Sequence, residues 1–130
     1  MPEVLIESIE QFNSLIATGV AVVKFTASWC GPCVRMAPEF KKIASQTYEP
    51  ATNFLTIDID NAQSDKGLNT LCQKVRSVPT IHYYQNGKLV DEMVGANIEI
   101  TFLRFFHCLH VPHDEFSYIN LKAFFITASS

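Results

Sequence analysis

The chain has 130 residues, 48% of them hydrophobic, enough for one packed core and too few for two. A formal net charge of -3 and the lack of any Lys/Arg run argue against nucleic acid or an anionic membrane as the main partner. Met-Pro-Glu-Val-Leu-Ile-Glu-Ser has neither the basic region and apolar stretch of a secretory signal nor the arginines of a transit peptide, so a reducing, cytoplasmic setting is expected.

Val4 to Ile6 reads as a short first strand. Ser8 with Gln11 makes a capping-box start for a helix whose apolar face holds Ile9, Phe12, Leu15 and Ile16 and which Thr18-Gly19 ends. Val20 to Thr26 is β-branched and apolar on both faces apart from Lys24, the pattern of a central strand covered on two sides. From Cys33 to about Tyr48 the spacing of Val34, Met36, Ala37, Phe40, Ile43 and Ala44 predicts a helix, kinked at Pro38. Phe54 to Ile59 alternates as a strand, a polar helix follows from about Asp65 to Val75, and the unit forms a right-handed βαβ crossover. Thr80 to Tyr84 and Lys88 to Val94 flank Gln85-Asn86-Gly87, whose Asn-Gly pair predicts an antiparallel hairpin. A last helix from about Ile98 to Leu109 stops before Pro112, and no apolar run is long enough to cross a membrane.

The chemistry is concentrated where the central strand meets the helix after it, at Cys30-Gly31-Pro32-Cys33. When such a pair opens a helix, the first sulfur lies beyond its N-terminus, where free backbone N–H groups and the positive end of the dipole favour a thiolate. Cys30 is therefore the expected nucleophile. Cys33, one turn further in, can reach back to it and resolve a mixed disulfide. Pro32 suits a first helical turn that has no use for its N–H, and Gly31 lets a partner backbone come close. Four cysteines in a secreted chain would suit two structural disulfides, whereas this spacing near a βαβ pattern in a non-secreted chain points to redox chemistry.

Together these residues resemble the thioredoxin family. Trp29-Cys30-Gly31-Pro32-Cys33 is similar to its active-site motif, Pro38 falls where its active-site helix is kinked, and Val78-Pro79-Thr80 is similar to its cis-proline loop. Asn86-Gly87 and Val94-Gly95-Ala96 fit its final hairpin and the turn after it, so the resemblance spans about Val4 to Ile98. It implies an α/β fold with a mixed central sheet flanked by helices. It also implies that Cys30 and Cys33 cycle through a disulfide while reducing protein disulfides, supported by Trp29, Gly31 and Pro32. No bound cofactor or metal is implied; electrons would come from a separate thioredoxin-reductase-type donor. Pro79 is implied to be cis, placing Val78 beside Cys30 so that Val78, Pro79, Thr80 and Gly95 form the substrate site; β-strand addition there is tolerant of sequence. The alternatives are an ordinary strand-entry proline for Pro79 and core packing for Trp29.

Lys24 departs from the pattern. Most thioredoxins carry a buried aspartate six residues before the first cysteine, and Thr56 stands where many bacterial members place its lysine partner, so that acid/base pair is absent. Two readings of Lys24 follow. It snorkels or pairs with a carboxylate, or it supports the active site by lowering the Cys33 pKa or taking up a proton during resolution. Within the family, the run Ala21-Val22-Val23-Lys24-Phe25-Thr26 with Arg35, Ala37-Pro38 and Phe40 is similar to thioredoxin-like members that also carry lysine there.

Cys72, in the polar helix, reads as a small buried thiol. His107-Cys108-Leu109-His110-Val111-Pro112-His113 contains soft-metal ligands but no second C-x-x-C, and no metal is expected. Residues 1–110 are the expected thioredoxin-type domain and 111–130 an atypical tail, in which Phe116, Tyr118, Phe124 and Phe125 are too apolar for a solvated terminus; docking on its own domain, joining a partner or dimer, and being a poorly ordered product of altered splicing all stay open. The expected function is a thiol–disulfide oxidoreductase. Its rivals are a weakly catalytic binding module and a disulfide oxidase or isomerase, the latter disfavoured because Gly-Pro between the cysteines is similar to reducing members.

Overall fold

A computed structural model describes residues 3–46 and 52–108. Its central strand is β2 (Val20–Thr26), in which every residue but Thr26 is buried. β2 lies parallel to β3 (Thr52–Asp58) and antiparallel to β4 (Thr80–Gln85). The short β1 (Val4–Leu5) pairs parallel with β3, and β5 (Lys88–Val94) pairs antiparallel with β4, giving the order β1-β3-β2-β4-β5. The helices are α1 (Ile9–Ile16), α2 (Gly31–Gln46), α3 (Lys66–Cys72) and α4 (Ile98–Cys108), with a 3-10 turn at Asn61–Ser64.

Alternation along the strands sorts the apolar residues into two cores. Val22, Phe54, Ile81 and Tyr83 face Met36, Phe40 and Ile43 of α2 and Phe105 of α4. Ala21, Val23, Phe25, Leu55 and Ile57 face Phe12 and Ile16 of α1 and Leu68 of α3. The sheet is thus mixed and covered by helices on both sides. Phe40, fully buried and edge-on to Phe54 with ring centroids 5.8 Å apart, fixes α2 to the sheet; truncating such a residue costs about 3–5 kcal/mol.

Local sequence explains the ends of these elements. The Ser8 hydroxyl accepts the Gln11 N–H at 3.1 Å, while the Gln11 side chain reaches back to the N–H of Glu7 at 2.8 Å, one residue before the expected capping-box partner. Asn86 (φ 50) and Gly87 (φ 85) both take the left-handed conformation that a tight hairpin turn requires. Asn86 also accepts the Gly19 N–H through Oδ1 at 2.9 Å and donates its own N–H to Gly19 O at 2.9 Å, fastening the hairpin to the start of β2.

Three boundaries differ from expectation. α2 begins at Gly31 rather than Cys33: its apolar spacing starts at Val34, but Gly31 and Pro32 are accommodated in a first turn that needs no N–H donors. β3 starts at Thr52 and buries Phe54, Leu55, Thr56 and Ile57 in succession, because a parallel strand covered on both faces does not alternate. α3 is shorter than the Asp65 to Val75 segment, because Asp65 is its cap and beyond Cys72 the N–H groups of Lys74 and Val75 bond three residues back, to Leu71 O and Cys72 O, rather than four. Tail 111–130 and the side chains of residues 107–113 lie outside the described residues.

Candidate active site

Between the end of β2 and the start of α2 the chain turns through Ala27 to Cys30. The Cys30 N–H donates to Ala27 O at 3.2 Å, and the Cys30 carbonyl accepts the Val34 N–H at 3.1 Å, so Cys30 stands immediately before the first helical turn. From that turn the Cys33 N–H donates to Cys30 Sγ at 3.3 Å. Both cysteines are free thiols. A helix-terminal N–H aimed at the first sulfur favours negative charge on it.

The two sulfurs have different surroundings. Cys33 is fully buried and Cys30 nearly so, whereas Trp29, Gly31 and Pro32 beside Cys30 are exposed. Burial, and next the hydrogen bond with Cys30, push the Cys33 thiol above its ordinary value. Ala27, Cys30 and Cys33 form one apolar cluster, against which Ile59 and Val78 pack. Residues from the ends of β2 and β3 and from the loop into β4 therefore meet at the dithiol.

The Val78–Pro79 peptide is cis. Cys30 Sγ donates to Val78 O at 3.5 Å, and Pro79 O accepts the Gly95 N–H at 2.9 Å. Gly95 has φ +106 and open space where a side chain would stand. Thr80, the first residue of β4, donates from its hydroxyl to Ser77 O at 2.7 Å, closing the loop before the strand. Val78 thus meets Cys30 Sγ directly, Gly95 is tied to the same loop through Pro79 O, and Thr80 closes that loop through Ser77 O.

Trp29 is 67% exposed, which disfavours the alternative of core packing. Its ring is held by donation from Nε1 to Asp60 Oδ2 at 2.9 Å, in a turn where Asp58 Oδ1 accepts the N–H groups of Asp60 and Asn61.

Lys24 is only 2% exposed and does not snorkel. Its Nζ lies 3.3 Å from Glu3 Oε1 and 4.6 Å from the centroid of the Phe40 ring. Thr56, its neighbour across the β2–β3 ladder, donates its hydroxyl to the same Glu3 carboxylate. Desolvation lowers the Lys24 pKa; the Glu3 charge and hydrogen bond oppose that shift, and Cys33 opposes it further. Glu3 was missed from sequence although a lysine in a central strand calls for an acid nearby, because the carboxylate comes from the far end of the chain segment through β1. Cys72 is half-buried rather than buried, and its thiol is pushed up to about 11 by desolvation and then by Asp58.

Residues 3–107 match the thioredoxin family. Over 96 residues the chain is 36% identical to a thioredoxin from Ictalurus punctatus, a match covering 71% of this chain and 85% of that one. It is 38% identical over 96 residues to thioredoxin-2 of Saccharomyces cerevisiae, with the same two coverages of 71% and 85%. The crystal structure of Malassezia sympodialis thioredoxin superposes with a TM-score of 0.70 at 28% identity, covering 82% of this chain and 93% of that one. A dithiol that opens a helix at the end of the central strand, on this mixed sheet and with these relatives, shows that the chain belongs to the thioredoxin family of thiol–disulfide oxidoreductases.

Proposed function

We propose that this chain reduces protein disulfides, with Cys30 as the attacking sulfur and Cys33 as the resolving one. The Cys30 thiolate attacks one sulfur of the substrate disulfide; that bond breaks, a mixed disulfide forms, and the other substrate sulfur leaves as a thiolate that takes up a proton. Cys33 then loses its proton and attacks Cys30 Sγ, releasing the second substrate thiol and leaving a Cys30–Cys33 disulfide. Two electrons and two protons have passed to the substrate. A separate thioredoxin-reductase-type donor restores the dithiol.

The observation that carries this assignment is the asymmetry of the pair: Cys30 Sγ receives the Cys33 N–H, while Cys33 is buried with its thiol pKa raised. Cys33 thereby keeps its proton until the first attack has occurred. Substrate runs extended along Val78 and Pro79, with Thr80 and Gly95 forming the adjoining backbone and Trp29 an exposed apolar wall; the Val78 carbonyl beside Cys30 supports this track. Lys24 supports the site from beneath α2, through Phe40 and through its attraction for a Cys33 thiolate. Residues 1–110 act as the catalytic domain in a reducing compartment, the cytoplasm by preference. Among the described residues no helix is long and apolar enough to cross a membrane.

Trapping tests the assignment. Cys33→Ser incubated with a disulfide-bonded protein accumulates a mixed disulfide that peptide mapping places on Cys30, and Cys30→Ser accumulates none. A cross-link on Cys33, or equal insulin reduction by wild type and Cys30→Ser, overturns it in favour of a different nucleophile or a binding module.

A further inference from the structure

A side chain on a helix leans over the turn before it. Arg35 does so to the point that a Cβ on Gly31 would stand 3.3 Å from its Nη1, so the guanidinium lies against the backbone between the two cysteines. It is exposed and makes no ion pair among the described residues. Beside it opens a cleft of about 220 Å³, lined by Pro32, Arg35, Met36, Glu39 and Ala96. Ala96 follows Gly95, whose N–H is bonded to Pro79 O, so the cleft borders the proposed peptide track.

Arg35 thus presents an exposed positive charge beside the dithiol in a chain that carries -3 overall. Asp60 accepts from Trp29 Nε1 and Asp58 from two backbone N–H groups, so both carboxylates keep their charge and are held in the turn after β3. Arg76, exposed and likewise without an ion pair among the described residues, lies two residues before Val78. Glu39, one turn beyond Arg35, is the acidic residue lining the cleft and repels a second negative charge there. A planar guanidinium with free donors is suited to a carboxylate. We propose that Arg35 makes the dithiol favour protein disulfides with an Asp or Glu beside the attacked cysteine. This rests on the reductase reading and names the substrate class of the same site.

The test uses two peptide disulfides that differ only in Asp or Lys next to the attacked cysteine, reacted with the pre-reduced full chain. Each rate constant is divided by that for dithiothreitol, which removes the intrinsic effect of flanking charge on the disulfide. An exposed ion pair of this kind gives an expected Asp-over-Lys preference of about three-fold. Arg35→Glu inverts the preference, and Glu39→Gln enlarges it. A ratio near one in the wild type, or an unchanged ratio in Arg35→Glu, overturns the proposal. If neither peptide is reduced, the reductase reading fails and this inference with it.

Discussion

Lys24 occupies a position where an unpaired charge is costly, and Glu3 is what makes it tolerable. Replacing Glu3 by Gln leaves a buried ammonium facing a neutral amide; the expected loss is roughly 3 kcal/mol in urea unfolding, and adding Lys24→Met recovers much of it. A loss below about 0.5 kcal/mol would show that the pair contributes little. The pH dependence has a definite sign. The folded-state pKa of Lys24 lies below 10.5, so in the window between the two values the unfolded chain binds more protons and stability rises with pH. Cys33 and Cys72 act in the opposite sense: their folded values lie above 9.0, the folded chain keeps more protons there, and stability falls as pH climbs past that point. Lys24→Met removes the rise and keeps the fall, so its stability declines more steeply on the alkaline side than that of the wild type. With its thiol near 11, Cys72 is about 10⁻⁴ thiolate at neutral pH. Iodoacetamide at pH 7 is therefore expected to label Cys72 far more slowly than a free cysteine; comparable labelling would contradict its inert role.

At the scale of elements, α1 and α3 are held together by one aspartate and one glycine. Asp65 caps α3 by accepting the Leu68 N–H at 3.0 Å through Oδ1, and with Oδ2 it accepts the Ile9 N–H at 3.3 Å at the start of α1. Gly67 lets the two helices approach: a Cβ there would stand 2.6 Å from Ile9 Cβ. Asp65→Ala is expected to cost about 1–2 kcal/mol from the lost cap alone. Gly67→Ala, which raises intrinsic helix propensity, is nevertheless expected to lower the melting temperature, and Ile9→Ala in the same chain relieves part of that loss. A rise in melting temperature for Gly67→Ala alone would show that α1 shifts aside freely.

Across the whole molecule, what was legible in the sequence is what depends on neighbours along the chain. The apolar run of β2, the Asn86-Gly87 turn and the Cys30/Cys33 spacing each specify a local conformation, and the fold follows from joining them. Contacts made over long separations were not legible from spacing, and Val78 beside Cys30 followed only from the family resemblance. Neither the spacing around Lys24 nor that around Arg35 reveals that the first pairs with Glu3 while the second leans over Gly31. Alternation also misled at β3, where helices on both faces bury every side chain from Phe54 to Ile57. The exposed Trp29 shows the same limit, since its anchor is Asp60 in the turn after another strand.

If the Cys30/Cys33 pair works as a reductant, its redox potential must lie at the reducing end of the dithiol range. Equilibrating the chain in glutathione or dithiothreitol buffers, and quantifying the free thiols of Cys30 and Cys33, gives the value. A potential of about -270 mV is expected, at the reducing end of such dithiols. A potential above about -180 mV would contradict a reducing role, because the pair would then oxidise thiols rather than reduce protein disulfides.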